Sequence, residues 1–122
     1  MKNVLLVFGG RSYEHDISVV TAMQIFKKAR LKDINLVLFY VSRNEKFFVC
    51  DSKKIRLKDF SLKNFSERNK AFREVCFVSS EKKKLYFKTR FGLREYLDID
   101  SAIIACHGGD GENGRLRQDN IR

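Results

Sequence analysis

At 122 residues the chain has room for one domain at most. Hydrophobic residues make up 43% of it and 11 residues are Phe, which is enough for a packed core and excludes intrinsic disorder. A net charge of +10 raises nucleic acid or acidic small molecules as partners, but the basic residues are scattered and no RNP, KH or zinc-finger pattern accompanies them. Solvated lysine faces explain the charge.

Three cysteines, Cys50, Cys76 and Cys106, are odd in number, far apart and each set in an apolar run. Buried free thiols in a reducing compartment fit that pattern better than a disulfide framework or a metal site. The apolar run in "MKNVLLVFGG" is too short for a signal peptide, and no stretch approaches the ~20 apolar residues of a membrane span. A cytoplasmic protein that binds neither membrane nor nucleic acid is expected.

Val4–Phe8 is a continuous apolar run closed by Gly9-Gly10 and reads as a strand buried on both faces. From Glu14 the period changes: Val19, Ala22, Met23, Phe26 and Ala29 fall on one face of an amphipathic helix. Glu14 and Asp16 sit in its first turn, and Lys27, Lys28 and Arg30 in its last, as the helix dipole favours. "INLVLFYV" (34–41) is a second buried strand, so the opening is a βαβ unit, which implies parallel pairing. After a polar turn at 42–46, "FFVC" (47–50) is an antiparallel return. Residues 51–74 are charged, weakly helical in spacing, and read as a surface excursion. "VCFVSS" and "KLYFK" form a hairpin near the sheet edge, with Lys82, Lys83 and Lys84 in a solvated turn. "DIDSAIIAC" (98–106) is apolar enough to be a central strand. The fold class expected is α/β, a doubly wound, mostly parallel sheet of Rossmann-like type with an antiparallel hairpin at its edge.

Two glycine motifs leave strands of this sheet. "GGRSYEHDIS" (9–18) follows the first strand, and "HGGDGENG" (107–114) follows the last. In open α/β sheets ligands collect at the carboxyl ends of the strands, where both motifs lie. Gly9 and Gly10 permit a tight turn and close approach of a ligand to backbone. Neither G-x-G-x-x-G nor a Gly-Lys-Ser/Thr step is present, so the first motif is not a dinucleotide fingerprint or a P-loop.

Together and in this order, "FGGRSYEHDIS" and "HGGDGENG" resemble the amino-terminal domain, of pre-ATP-grasp fold, of the D-alanine–D-alanine ligase family in the ATP-grasp superfamily. Asp16 stands where the family has Glu, and Asn113 where it has Asp. Leu116 fits, but Arg117–Arg122 is polar where the family continues into an apolar helix. The resemblance implies residues 1–114 as the substrate-binding domain and 115–122 as a truncated tail. The central and ATP-grasp domains, which hold ATP and magnesium (or manganese), are expected to be absent, and the chain alone to have no ligase activity.

The implied reaction phosphorylates the carboxylate of one D-alanine with ATP and joins it to the amine of a second, for peptidoglycan. The first D-alanine is a zwitterion and needs an anion and a donor. By the motif match, Glu14 meets its ammonium and His107 its carboxylate, the imidazole being a donor and, when protonated, a cation. Glu112 orients His107 from behind. Gly9, Gly10 and Gly108 let backbone approach the substrate, and Ile17 walls its methyl group. His15 is read as structural or solvent-facing. A Cys106–His107 nucleophile is disfavoured because strand neighbours point to opposite faces. If the first and last strands are parallel neighbours, Glu14 and His107 should lie on the order of 5–10 Å apart. Family members are usually homodimers. The rival reading is a non-catalytic α/β module binding an amino acid or anion.

Overall fold

Strands β1 (Lys2–Gly9) and β2 (Ile34–Val41) bracket helix α1 (His15–Lys28) in the computed structural model, which describes residues 1–10, 14–29, 33–78 and 81–105. The two strands pair in parallel, Lys2 opposite Ile34 through Gly9 opposite Val41, as the strand–helix–strand reading requires. Then follow β3 (Phe47–Cys50), a 3₁₀ turn (Leu57–Phe60), β4 (Phe72–Val78), β5 (Glu81–Thr89), β6 (Gly92–Asp98) and β7 (Ser101–Ile104). One seven-stranded sheet results, in the order β6-β5-β4-β3-β2-β1-β7.

The doubly wound, mostly parallel sheet expected from the sequence is corrected. Among the described strands only β1–β2 and β1–β7 are parallel; β2–β3, β3–β4, β4–β5 and β5–β6 are antiparallel. For three of the four the reason lies in the connections. A parallel crossover needs about a dozen residues or more, whereas β2 and β3, β4 and β5, and β5 and β6 follow one another within a few residues. β3 and β4 are joined by the longer 51–71 segment, which packs on the helix-side core. Among the described residues α1 is the only α-helix, so the molecule is a mixed α/β sheet with one helix.

The helix face of the sheet holds one core. Leu6 and Phe8 of β1, Leu38 and Tyr40 of β2 and Phe48 of β3 are buried there against Val19 and Ala22 of α1. Each such side chain contributes about 1.5–3 kcal/mol on leaving water. Tyr40 is the hub of an aromatic cluster, with ring centroids 4.8 Å from Phe60, 5.4 Å from Phe65 and 5.5 Å from Phe8. Those separations suit tilted and edge-on contacts. The expected surface excursion at 51–74 is thereby also corrected. Phe60 and Ala71 are buried and Phe65 packs on the same cluster, so this segment closes the helix-side core. Its charged residues alternate with the aromatics, which masked them in the sequence.

The opposite face carries Leu5, Val37, Phe39, Val49, Val75 and Leu85, also buried. No described helix covers it; the sheet covers itself. Strand β6 lies at one edge and β7 at the other, yet only Ile99 and Asp100 join them. Three Cα–Cα steps reach roughly 11 Å, while six strand spacings in a flat sheet would measure roughly 29 Å. The sheet must therefore curl until its edges meet. The seam is visible: the Asp100 N–H donates to the Asn3 carbonyl (2.8 Å), the Asn3 N–H to the Asp100 carboxylate (2.7 Å), and the Asn3 side chain to the Asp98 carbonyl (2.7 Å).

Strand β7 was expected at the centre and lies at an edge of the described sheet, with all four residues half-buried. Its apolar run reflects contact on both faces. Ile103 packs on the helix-side core and Ala102 on the other.

Candidate functional site at the carboxyl edge of the sheet

β1 ends in a turn that only glycine suits. Gly9 and Gly10 have φ of +98° and +99°, a region that side chains rarely adopt. The Gly10 N–H donates to the Val41 carbonyl at 2.7 Å, folding the chain over the end of β2. A Cβ on Gly9 would collide with that same carbonyl oxygen and crowd the Tyr40 ring, whereas one on Gly10 would meet nothing. Ser18 fastens the turn to α1: its hydroxyl accepts from the Gly9 N–H (2.8 Å) and donates to the His15 carbonyl (2.9 Å).

The last strand leads to the same edge. β7 pairs in parallel with β1, Val4 opposite Ser101 through Val7 opposite Ile104, and the Ala105 N–H donates to the Val7 carbonyl at 2.8 Å. The carboxyl end of β7 therefore lies beside the end of β1 that leads into the Gly9-Gly10 turn. Cys106, His107, Gly108, Glu112 and the 115–122 tail lie outside the described residues, as does Arg30. The expected Glu14–His107 separation falls there too.

Glu14 immediately precedes α1 in helical conformation, and its carbonyl accepts the Ser18 N–H at 3.0 Å. Its side chain is half-buried and makes no capping hydrogen bond to the helix. Ile17 is 50% exposed on the same first turn.

His15 is where the structure adds most. The ring is 1% exposed, so of the two placements expected for it the solvent-facing one is excluded. Nδ1 lies 2.8 Å from the Asp16 carboxylate and Nε2 2.6 Å from the Tyr40 hydroxyl, while the Arg43 guanidinium donates to the same Asp16 oxygen at 2.9 Å. Desolvation lowers the His15 pKa from its ordinary 6.5, outweighing the hydrogen bond to Asp16, which raises it. The hydrogen bond from His15 in turn holds the Asp16 carboxyl below the usual carboxylate range. Burial pushes the Tyr40 hydroxyl up to about 12.

Sequence reading missed this group because it treated Asp16 as a helix-dipole acid and Tyr40 as strand filling. The available signal was Tyr40 itself, the one hydroxyl in "INLVLFYV". A phenol buried in an apolar strand usually requires a polar partner.

Cys50 and Cys76 are free thiols at half-buried positions, and burial pushes the Cys50 thiol up. No group of three or more His, Cys, Asp or Glu able to hold a metal ion occurs among the described residues, and no described helix is long and apolar enough to cross a membrane.

Comparison with known proteins gives this edge a context. The "D-alanine--D-alanine ligase" of Campylobacter lari is 33% identical over 113 residues, 91% of this chain and 29% of that protein. That of Wolinella succinogenes is 33% identical over 115 residues, 93% of this chain and 30% of its own length. This chain thus spans about 30% of the length of the relatives it matches. The D-alanine-D-alanine ligase structure from Helicobacter pylori superposes with a TM-score of 0.54 at 28% identity, covering 95% of this chain and 34% of that one. The VanG D-Ala:D-Ser ligase from Enterococcus faecalis gives 0.65 at 20% identity over 94% of this chain and 32% of its own, a likeness of fold. The family described as D-ala D-ala ligase N-terminus matches residues 3–118, nearly the whole chain. A glycine turn after β1, a parallel β7 beside it and this match together make the chain a member of the D-alanine–D-alanine ligase amino-terminal family.

Proposed function

We propose that this chain is the part of an ATP-dependent carbon–nitrogen ligase that holds the first of two D-alanines before they are joined through an acylphosphate for peptidoglycan. The observation carrying the reading is the parallel pairing of β1 with β7, which sets the carboxyl ends of both strands at one edge of the sheet. Glu14 takes the substrate ammonium, and His107, oriented by Glu112, takes its carboxylate. Gly9, Gly10 and Gly108 let backbone close on the substrate, and Ile17 lies against its methyl group.

The described residues offer no set suited to magnesium, and ATP with its metal is assigned to the further two thirds of length that the relatives possess. This chain contributes binding and orientation. The complete enzyme is proposed to be a cytoplasmic homodimer.

Glu14→Gln in the complete ligase tests the reading. Losing a charged hydrogen-bond partner costs about 1.5–3 kcal/mol, so KM for the first D-alanine should rise roughly tenfold to a hundredfold while KM for ATP stays put. Unchanged D-alanine kinetics would remove Glu14 from the site.

A further inference from the structure

The buried His15 has no part in the substrate contacts above, yet its ring is held on both nitrogens. The donor and acceptor roles follow from its neighbours. A carboxylate can only accept, so Nδ1, 2.8 Å from Asp16, carries the proton. Nε2 of the neutral ring is then an acceptor, and the Tyr40 hydroxyl at 2.6 Å donates to it.

The ionisable groups around the ring agree with this arrangement. Asp16 faces it from α1, Arg43 from the segment after β2, and Tyr40 from β2, with Cys50 of β3 acting on Tyr40 from behind. Arg43 opposes a second positive charge on the ring, and burial keeps both the Tyr40 hydroxyl and the Cys50 thiol protonated. Tyr40 is itself fully buried and wedged among Phe8, Phe60 and Phe65. The imidazole is thus moored to a fully buried side chain at the centre of the helix-side aromatic cluster.

We propose that His15 is a positioning residue: locked as the Nδ1–H tautomer between Asp16 and Tyr40, it fixes the first turn of α1 and so sets where Glu14 meets the substrate. The proposal rests on the Glu14 assignment above. Consecutive helical residues are about 100° apart around the axis, so a ring fixed inward at 15 fixes the azimuth of residue 14. Ser18 supplies a second tie one turn later, bonding the Gly9 N–H and the His15 carbonyl. Together these couple the glycine turn, Glu14 and the core into one rigid unit.

The test has two arms. In this chain, nitrogen-15 NMR of the imidazole reads tautomer and titration directly. The lock requires an Nδ1–H ring at pH 7.5 with a midpoint below 6.5. Tyr40→Phe deletes one hydroxyl and should raise that midpoint; Asp16→Asn should lower it and mix the tautomers. An Nε2–H ring, or a midpoint at or above 6.5 that Tyr40→Phe leaves unmoved, overturns the lock.

In the complete ligase, Tyr40→Phe should raise KM for the first D-alanine about three- to tenfold, leave KM for ATP unchanged, and do so more steeply as pH falls. His15→Asn, which keeps a donor for Asp16, should recover part of what His15→Ala loses. An unchanged D-alanine KM in Tyr40→Phe overturns positioning. If Glu14→Gln has no effect either, the site assignment falls with it, while the NMR arm still decides the lock by itself.

Discussion

β1 and β2 bury their inner side chains under a helix and hold their glycine turn over the end of β2, while β3 to β6 run antiparallel and curl over their own apolar face. The first region is stiff where its chemistry is placed. Hydrogen bonds tie Gly9 to Ser18, Ser18 to His15 and His15, the neighbour of Glu14, to Tyr40 of β2. The second region wraps. Its outer β5–β6 hairpin carries exposed Phe91 in the turn and Leu93 and Tyr96 in β6, and the Phe87 ring stacks on Tyr96 at 4.3 Å with Arg73 over it at 4.1 Å. A fold can thus concentrate precision at one edge of a sheet and leave the far strands to enclose the core.

The strongest way to break this contrast is at Phe60. If the 51–71 segment were a surface loop, Phe60→Ala would be harmless. Because the ring fills the Tyr40 cluster, it should cost about 3–5 kcal/mol, read as a shift in urea midpoint, while Leu62→Ala, at an exposed position, should stay within about 0.5 kcal/mol.

The two regions each contain a left-handed glycine, and the pair sharpens the comparison. Gly9→Ala and Gly92→Ala both incur backbone strain of about 1–3 kcal/mol. Only Gly9 adds a collision with the Val41 carbonyl; a Cβ on Gly92 meets nothing. Gly9→Ala should therefore be the more destabilising in thermal melts. Equal losses would mean that the first turn is no tighter than the second.

Acid should act on the first region before the second. The unfolded chain binds the His15 proton near 6.5, and the folded chain only at lower pH, so unfolding takes up a proton between those values. Stability is full above 6.5 and falls as pH drops toward the folded pKa. Asp16, also depressed, adds a further loss as pH falls below 3.8. Urea midpoints that are flat from pH 7.5 to 5 would contradict this. The smallest effect is expected across β4–β5, where Lys88 and Glu74 pair at 3.1 Å in partial exposure. Glu74→Gln should cost about 0–1 kcal/mol in the same urea titration, and less in high salt.

Residue by residue, the sequence settled those elements that local chemistry dictates. Val4–Phe8 and residues 34–41 had to be strands, the apolar face of Val19 and Ala22 had to be a helix, and the helix between two strands made them parallel. The Gly9-Gly10 pair declared its turn, and the two glycine motifs in order declared the family. These signals are periodic or local, so they survive in one dimension. Tertiary structure alone decided that β7 lies at an edge, that Phe60 and Phe65 belong to the core, that the sheet curls closed, and that His15 faces Tyr40, 25 residues away. Each of those depends on which surfaces meet after the chain has turned back, and burial of this kind is a property of pairs of segments that no single stretch of sequence carries.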